Sequence, residues 1–181
     1  SRLYAVGVDV GEGIGRASSV AQVLDITDLQ DIREVAVYGT NIIEPYHYAN
    51  NLVNLASQWG NPPLLVERNN CGGQVIDALF HKHYYEKIVS CSRLANIGSF
   101  SNTRHLGILS HNNLRFAGVA NMRYWLNFLQ VVHVNDIDTI KELETFIRYP
   151  NGTYRKQSDK FFDDRVMAHD LLNGGWSELR Q

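Results

Sequence analysis

Leu3-Tyr-Ala-Val-Gly-Val-Asp-Val10 is apolar and β-branched almost throughout, and Gly11-Glu-Gly-Ile-Gly15 breaks it, so a strand running into a turn is expected. Residues 17–26 and 32–38 repeat that composition on either side of the polar cluster Thr27-Asp-Leu-Gln-Asp31, which predicts an antiparallel three-stranded meander. The period then changes. Tyr48, Leu52, Leu55, Ala56 and Trp59 recur at helical spacing, with Pro45 near the start and Gly60-Asn-Pro-Pro63 at the stop. Leu64-Leu-Val-Glu67 is apolar up to a terminal carboxylate, as in a central strand buried on both faces, and Asn69-Asn-Cys-Gly-Gly73 follows as a turn.

Residues 75–80 open a further helix, residues 88–91 a short strand and residues 95–113 a polar loop region. Residues 114–129 read as one long helix with Met122, Tyr124, Trp125, Phe128 and Leu129 packed in the core. A strand over 131–134 holds His133 as a satisfied core residue, and residues 137–146 form a helix with a charged outer face. A hairpin turns at Asn151-Gly152, and residues 163–172 make a last helix ended by Gly174-Gly175. Three antiparallel strands followed by alternating helices and strands predict an α/β fold: a mixed sheet of antiparallel and parallel strands, flanked by helices on both faces.

At 181 residues, 44% apolar and 20% charged, the chain has the composition and length of one folded domain, 1–181, and not of a disordered tail. No apolar run approaches the ~20 residues of a bilayer span and no leader precedes Leu3, so a soluble protein without a targeting signal is expected. Cys71 and Cys91 are too few for a disulfide framework and read as reduced thiols. Asn151-Gly152-Thr153 matches a glycosylation sequon, but Asn-Gly is first of all a turn. No P-loop occurs, and Gly11-x-Gly-x-Gly15 lacks the dinucleotide spacing.

The net charge of −2 conceals an asymmetry. Residues 1–67 hold 3 basic and 8 acidic side chains, residues 68–130 hold 7 and 2, and the remainder holds 7 and 9. An acidic centre beside a basic middle suits a site that gathers cations and receives a polyanion. Asp9 lies inside an apolar strand, where an unpaired charge costs several kcal/mol to bury. Glu67 ends another buried strand, and Asp163-Asp164 occupy the first turn of the last helix. Such positions face one crevice of an α/β sheet, and like charges converge there stably when a cation holds them; oxygen ligands alone point to Mg²⁺ or Mn²⁺. Singly, Asp163 or Asp164 reads as a helix cap and Glu67 as a strand-end residue paired nearby. Glu12 and Asp25 read better as solvated residues than as the rim of a site, and His81 and His83, two apart, as surface histidines.

The order strand-Asp, meander, helix, strand-Glu, final helix with Asp-Asp is similar to that of the ribonuclease H-like superfamily. More narrowly, Val8-Asp9-Val-Gly-Glu12-Gly, Leu65-Val-Glu67-Arg-Asn-Asn70-x-Gly72 and Phe162-Asp163-Asp164-Arg-Val-Met167 resemble the nuclease domain of the large terminase subunit of tailed bacteriophages. The resemblance implies a metal-dependent endonuclease of the host-cell cytoplasm that cuts concatemeric viral DNA during genome packaging. It also implies an ATPase motor domain elsewhere in the full-length protein, with the portal and small terminase subunit as partners. Two ions ~4 Å apart can hydrolyse a phosphodiester, with Asp9 bridging them and Glu67, Asp163 and Asp164 completing their shells. Adjacent helix residues point about 100° apart, so one of the paired acids is the inner ligand, and the pattern of related resolvases leans to Asp164. Double-stranded DNA would be held by Arg68, Asn69, Asn70 and Arg104 in the basic segment, and by Arg155 and Lys156 at the hairpin. Two rival readings are an actin-like sugar-kinase phosphate hairpin at Asp9-x-Gly11 and Arg16, which lacks its second hairpin here, and an inactive DNA-binding or motor-docking module of the same fold.

Overall fold

The computed structural model describes residues 1–15, 17–91, 105–110 and 112–174. Strands β1 (Tyr4–Asp9), β2 (Ser19–Asp25) and β3 (Ile32–Thr40) form the expected meander, with Tyr4 opposite Asp25 at one end and Asp9 opposite Val20 at the other. Helix α1 (Pro45–Gln58) follows, and β4 (Leu64–Val66) then returns parallel to β1, Val8 opposite Val66. Helix α2 (Gly72–Asp77) runs on into a wide π-type turn, Ala78–Lys82. Two short strands, β5 (Ser90–Cys91) and β6 (His105–Leu106), pair with each other. Helix α3 (Asn112–Tyr124) leads to β7 (Val132–His133), which lies parallel to β3 and completes a five-stranded sheet of order β4-β1-β2-β3-β7. Helix α4 (Ile137–Thr145), the hairpin β8 (Phe146–Arg148) and β9 (Tyr154–Lys156), and helix α5 (Asp164–Gly174) end the described chain.

Alternation along the strands assigns the two faces. Val6, Val8, Leu64 and Val66 pack with Tyr48, Ala49, Leu52 and Ala56 of α1 and with Val75 and Ile76 of α2. Ala5, Leu24, Ile32 and Leu65 share the opposite core with Ile108 and Leu172. Gly7 stands in the middle of that second face, and a Cβ there would overlap the carbonyl oxygen of Ala168 and press on Leu172. Its missing side chain therefore lets α5 lie directly on β1. Ala168 and Leu172 are one and two turns beyond Asp164, so the stripe that packs on β1 carries Asp164 towards the end of the strand where Asp9 sits.

Helix α4 is fastened to the sheet by polar groups. The buried Glu34 of β3 accepts from the backbone N–H groups of Asn135 and Asp136, at 3.0 and 2.6 Å. Asp136 caps the helix by accepting from Thr139 N–H at 2.8 Å, and the Thr139 hydroxyl in turn accepts from Gln22 of β2 at 2.9 Å.

Four expectations need correction. The helix expected over 114–129 ends at Tyr124 and widens into a π-type turn, Trp125–Leu129, closed by Gln130 at φ 53°. That turn breaks the period behind the expected core face, so Met122 is buried but Tyr124, Phe128 and Leu129 are exposed, Phe128 by 78%. His133 is not in the core: β7 is a two-residue edge strand that turns Val132 inward and His133 outward, with its Nε2 3.2 Å from Asp31. Asp25 is buried, and it lies at the opposite end of β2 from Asp9, paired with Arg2 at 2.9 Å. Residues 106–110, expected as polar loop, run along the end of β4, where Ile108 N–H donates to the Val66 carbonyl at 2.8 Å. The hairpin turn is as expected: Asn151 accepts from Thr153 N–H and hydroxyl, and Gly152 has φ 85°. Arg16, Arg104 and Gly175 lie outside the described residues. Among the described residues no helix is long and apolar enough to cross a membrane.

If Gly7 is what admits α5, Gly7→Ala will lose about 1–3 kcal/mol in urea denaturation through overpacking. Gly73→Ala, in helix α2 with nothing within 4 Å of its added Cβ, will cost nothing and will raise stability by up to about 1 kcal/mol.

Candidate active site

Asp9 is the last residue of β1, and Glu67 directly follows β4, one step beyond the Val8–Val66 pair. The Glu67 N–H donates to the Val8 carbonyl at 2.9 Å, so the parallel ladder continues to this point. Residues in register on parallel strands point to the same face, and Asp9 and Glu67 fall on the face covered by α5. The turn after Glu67 secures its backbone. Asn70 takes a left-handed conformation at φ 51°, which Asn tolerates, and Gly72 comes back so close to the Glu67 carbonyl that no Cβ fits. These two residues are the local reason for the Glu-x-Asn-Asn-x-Gly spacing.

The third acid comes from the other end of the sequence. An Asp164 carboxylate oxygen accepts from Ser18 N–H at 2.9 Å, which ties α5 to the entry of β2. Asp163 turns aside, and its carboxylate is 3.9 Å from Lys156 Nζ on β9. Neither acid caps α5. Glu142 of α4 does so from outside the helix, with one oxygen accepting from Arg165 N–H at 2.8 Å and Val166 N–H at 3.3 Å. These are the donors that an N-cap side chain ordinarily satisfies. Because Glu142 occupies them, neither aspartate is drawn back onto its own helix end.

The electrostatics show how close the acids are. Burial holds the Asp9 carboxyl well above the usual aspartate range, and a hydrogen bond shared with Glu67, the Glu67 charge and the Asp164 charge raise it further. Arg115 opposes the shift. Burial also raises Asp164, against the Ser18 hydrogen bond that lowers it, with the neighbouring Asp163 charge adding to the rise. Glu142 is pushed up to about 7 by burial, with the Arg165 and Val166 hydrogen bonds opposing. His169 on the same helix is fully buried and held down to about 4, so it stays neutral and adds no countercharge.

Cations enter from three directions. Arg115 of α3 donates to Glu67 at 3.2 Å and to the Ser110 hydroxyl at 3.0 Å. Lys156 faces Asp163, and Arg165 lies 3.6–3.8 Å from Asp136, Asp138 and Glu142. Of the residues expected to touch DNA, Arg68 is exposed and donates to the Leu106 carbonyl, and Asn70 is exposed. Asn69 is engaged within the protein, donating to the Ser110 carbonyl at 2.6 Å. Arg155 is exposed and stacks 4.0 Å above the Tyr149 ring. Sequence reasoning missed Arg115, Ser18 and Glu142, since nothing local marks a residue whose importance comes from a partner dozens of positions away.

Among the described residues no three His, Cys, Asp or Glu side chains form a ready-made metal cage. Asp9 and Glu67 share a hydrogen bond, Glu67 is turned to Arg115 and Asp164 to Ser18. The donor set nonetheless fits a hard divalent cation: it is all carboxylate oxygen, and Asp9 bears a repulsion that a cation would relieve.

No protein-family model and no curated protein matches the sequence. Solved structures do match in fold. The large terminase nuclease of thermophilic phage G20c with bound magnesium superposes at a TM-score of 0.71 and 18% identity, over 96% of this chain and 81% of the other. Its cobalt-bound form gives 0.69 and 19%, over the same shares. The nuclease domain of the large terminase g2p of bacteriophage SPP1 with bound Mn gives 0.60 and 13%, over 93% and 84%. The fold is thus ribonuclease H-like, as in these terminase nucleases.

Two outcomes follow for stability. Because the folded pKa of Asp9 lies above its unfolded value of 3.8, protonated Asp9 contributes stability to the metal-free chain that is fully present below pH ~4 and is lost as pH rises through the folded value. Asp9→Asn will remove that part of the slope and raise the melting temperature in chelator at pH 8. Glu142→Ala will cost about 0.5–2 kcal/mol as a lost cap, and Glu142→Gln, which keeps an acceptor, will cost less, both read by chemical denaturation.

Proposed function

We propose that the chain is a divalent-metal-dependent endonuclease domain that cuts double-stranded DNA, in the manner of the large terminase nucleases whose fold it shares. The observation that carries this reading is the convergence of Asp9, Glu67 and Asp164, from segments far apart in sequence, at one end of the sheet, where burial first and the Glu67 and Asp164 charges next keep Asp9 from ionising. A chain selected for stability alone has no use for such repulsion. Isolated strand-end acids would be solvated or capped instead.

Asp9, Glu67 and Asp164 would hold Mg²⁺ or Mn²⁺, two ions by the resemblance, with Asp163 as the outer acid near Lys156. Bound there, such ions supply charge neutralisation at the phosphate, a hydroxide nucleophile and stabilisation of the leaving oxygen. The protein's own contribution is positional. The β1–β4 ladder sets the spacing of Asp9 and Glu67, the stripe of α5 sets Asp164, and Ser18 and Glu142 prevent that helix end from turning away. Arg68, Asn70, Arg155 and Lys156 would carry the DNA backbone by phosphate contacts, with Arg104 from the same basic segment. Asn69 would act through its hold on Ser110. The biological substrate by this reading is concatemeric viral DNA in the host cytoplasm, cut at the start and finish of packaging, with an ATPase motor domain, portal and small terminase subunit as partners.

Plasmid nicking with and without Mn²⁺ tests it. The wild type will cleave only with metal, and Asp9→Ala and Glu67→Ala will remain folded and lose activity by orders of magnitude, as expected when metal ligands worth several kcal/mol are removed. Cleavage by Asp9→Ala at the wild-type rate, or none by the wild type at any metal concentration, would defeat the proposal. Arg155→Ala will weaken DNA binding alike across sequences and lower the salt slope by about one; an unchanged slope would take the hairpin off the DNA path.

A further inference from the structure

We propose that Arg115 is a catalytic residue, a guanidinium mounted beside Glu67 to bind the phosphate at which the strand is cut. The proposal rests on the nuclease reading above and adds a basic group to its acid cluster.

Arg115 is built onto the same strand end as Glu67. Its Nε donates to the Ser110 hydroxyl at 3.0 Å and its Nη2 to Glu67 Oε1 at 3.2 Å. Ser110 is itself buried and held through its carbonyl by the Asn69 amide at 2.6 Å. The guanidinium plane is therefore set by residues immediately after β4, and two of its five N–H donors are engaged in these bonds.

The bland alternative is that Arg115 simply neutralises a buried glutamate. Two observations favour the catalytic role. Its side chain is 46% exposed where that of Glu67 is 7% exposed, so Arg115 reaches a buried acid from the solvent side. It hydrogen-bonds Glu67 through a single nitrogen, whereas a dedicated neutralising arginine would use its fork on both carboxylate oxygens. The remaining basic groups near the centre are otherwise arranged: Lys156 faces Asp163, Arg165 is bound among Asp136, Asp138 and Glu142, and Arg155 stacks on Tyr149. Among the described residues Arg115 is the cation paired with Glu67. A guanidinium so placed can keep its Ser110 bond and exchange the carboxylate for a phosphate oxygen, for which its planar fork is suited.

The test uses the whole chain as wild type, Arg115→Ala and Arg115→Lys, with three readouts: single-turnover nicking of supercoiled plasmid in Mn²⁺, affinity for a labelled DNA duplex, and calorimetric Mn²⁺ affinity without DNA. Arg115→Ala should slow single-turnover nicking by about a hundredfold or more, as for other lost transition-state donors. Its duplex affinity should stay close to wild type, and its Mn²⁺ affinity should be equal or tighter, because a competitor for Glu67 is gone. Arg115→Lys, which keeps the charge and the fold but not the fork, should recover only part of the rate. Nicking by both variants at the wild-type rate would overturn the proposal. So would loss of Mn²⁺ binding in step with nicking, which would make Arg115 a mere support for Glu67. Absence of nicking by the wild type itself would instead overturn the nuclease reading.

Discussion

The mutual repulsion of Asp9, Glu67 and Asp164 is the constraint to which the surrounding structure answers. Three carboxylates in a poorly solvated crevice cannot all ionise at ordinary cost, and Asp9 accordingly retains its proton far above the usual aspartate range. The fold does not relax this. Ladder hydrogen bonds keep Asp9 and Glu67 level across β1 and β4, and Gly7 lets α5 lie so close to β1 that Asp164 cannot withdraw.

The same constraint gives a purpose to the polar contacts around the site. Glu34 and Gln22 fasten α4 to the sheet, and α4 then presents Glu142 to the first N–H groups of α5. That sequence of contacts fixes the end of α5 without using Asp163 or Asp164 as caps. Ser18 and Arg115 each hold one oxygen of an acid in the cluster, Asp164 and Glu67 respectively. All four arrangements exchange local comfort for a strongly acidic crevice open on its Arg115 side.

Much of this was legible in the sequence where the signal is local. The apolar runs marked β1 to β4, Asn151-Gly152 marked the hairpin, and the carboxylates at the ends of the β1 and β4 runs, Asp9 and Glu67, marked the crevice. The reading of 114–129 as one core-facing helix failed because a π-type turn changes the period without any distinctive residue. His133 was misplaced because a two-residue edge strand buries alternate side chains, and its apolar neighbours Val132 and Val134 do not reveal which face is covered. Asp163 and Asp164 were each open to a reading as the cap of α5 as well as metal ligands, since sequence shows helix ends but not a glutamate brought from another helix. Arg115 was legible only as one member of a basic segment, because its meaning lies in a contact with Glu67, 48 positions away.

Anomalous diffraction from crystals grown with Mn²⁺ is the most direct measurement of whether this crevice is a metal centre. The expected result is anomalous density within bonding distance of the Asp9, Glu67 and Asp164 carboxylates, with Arg115 released from Glu67 and Asp163 at the periphery. Density at other residues, or none in this crevice at saturating Mn²⁺ while Asp9 and Glu67 keep their shared hydrogen bond, would contradict it.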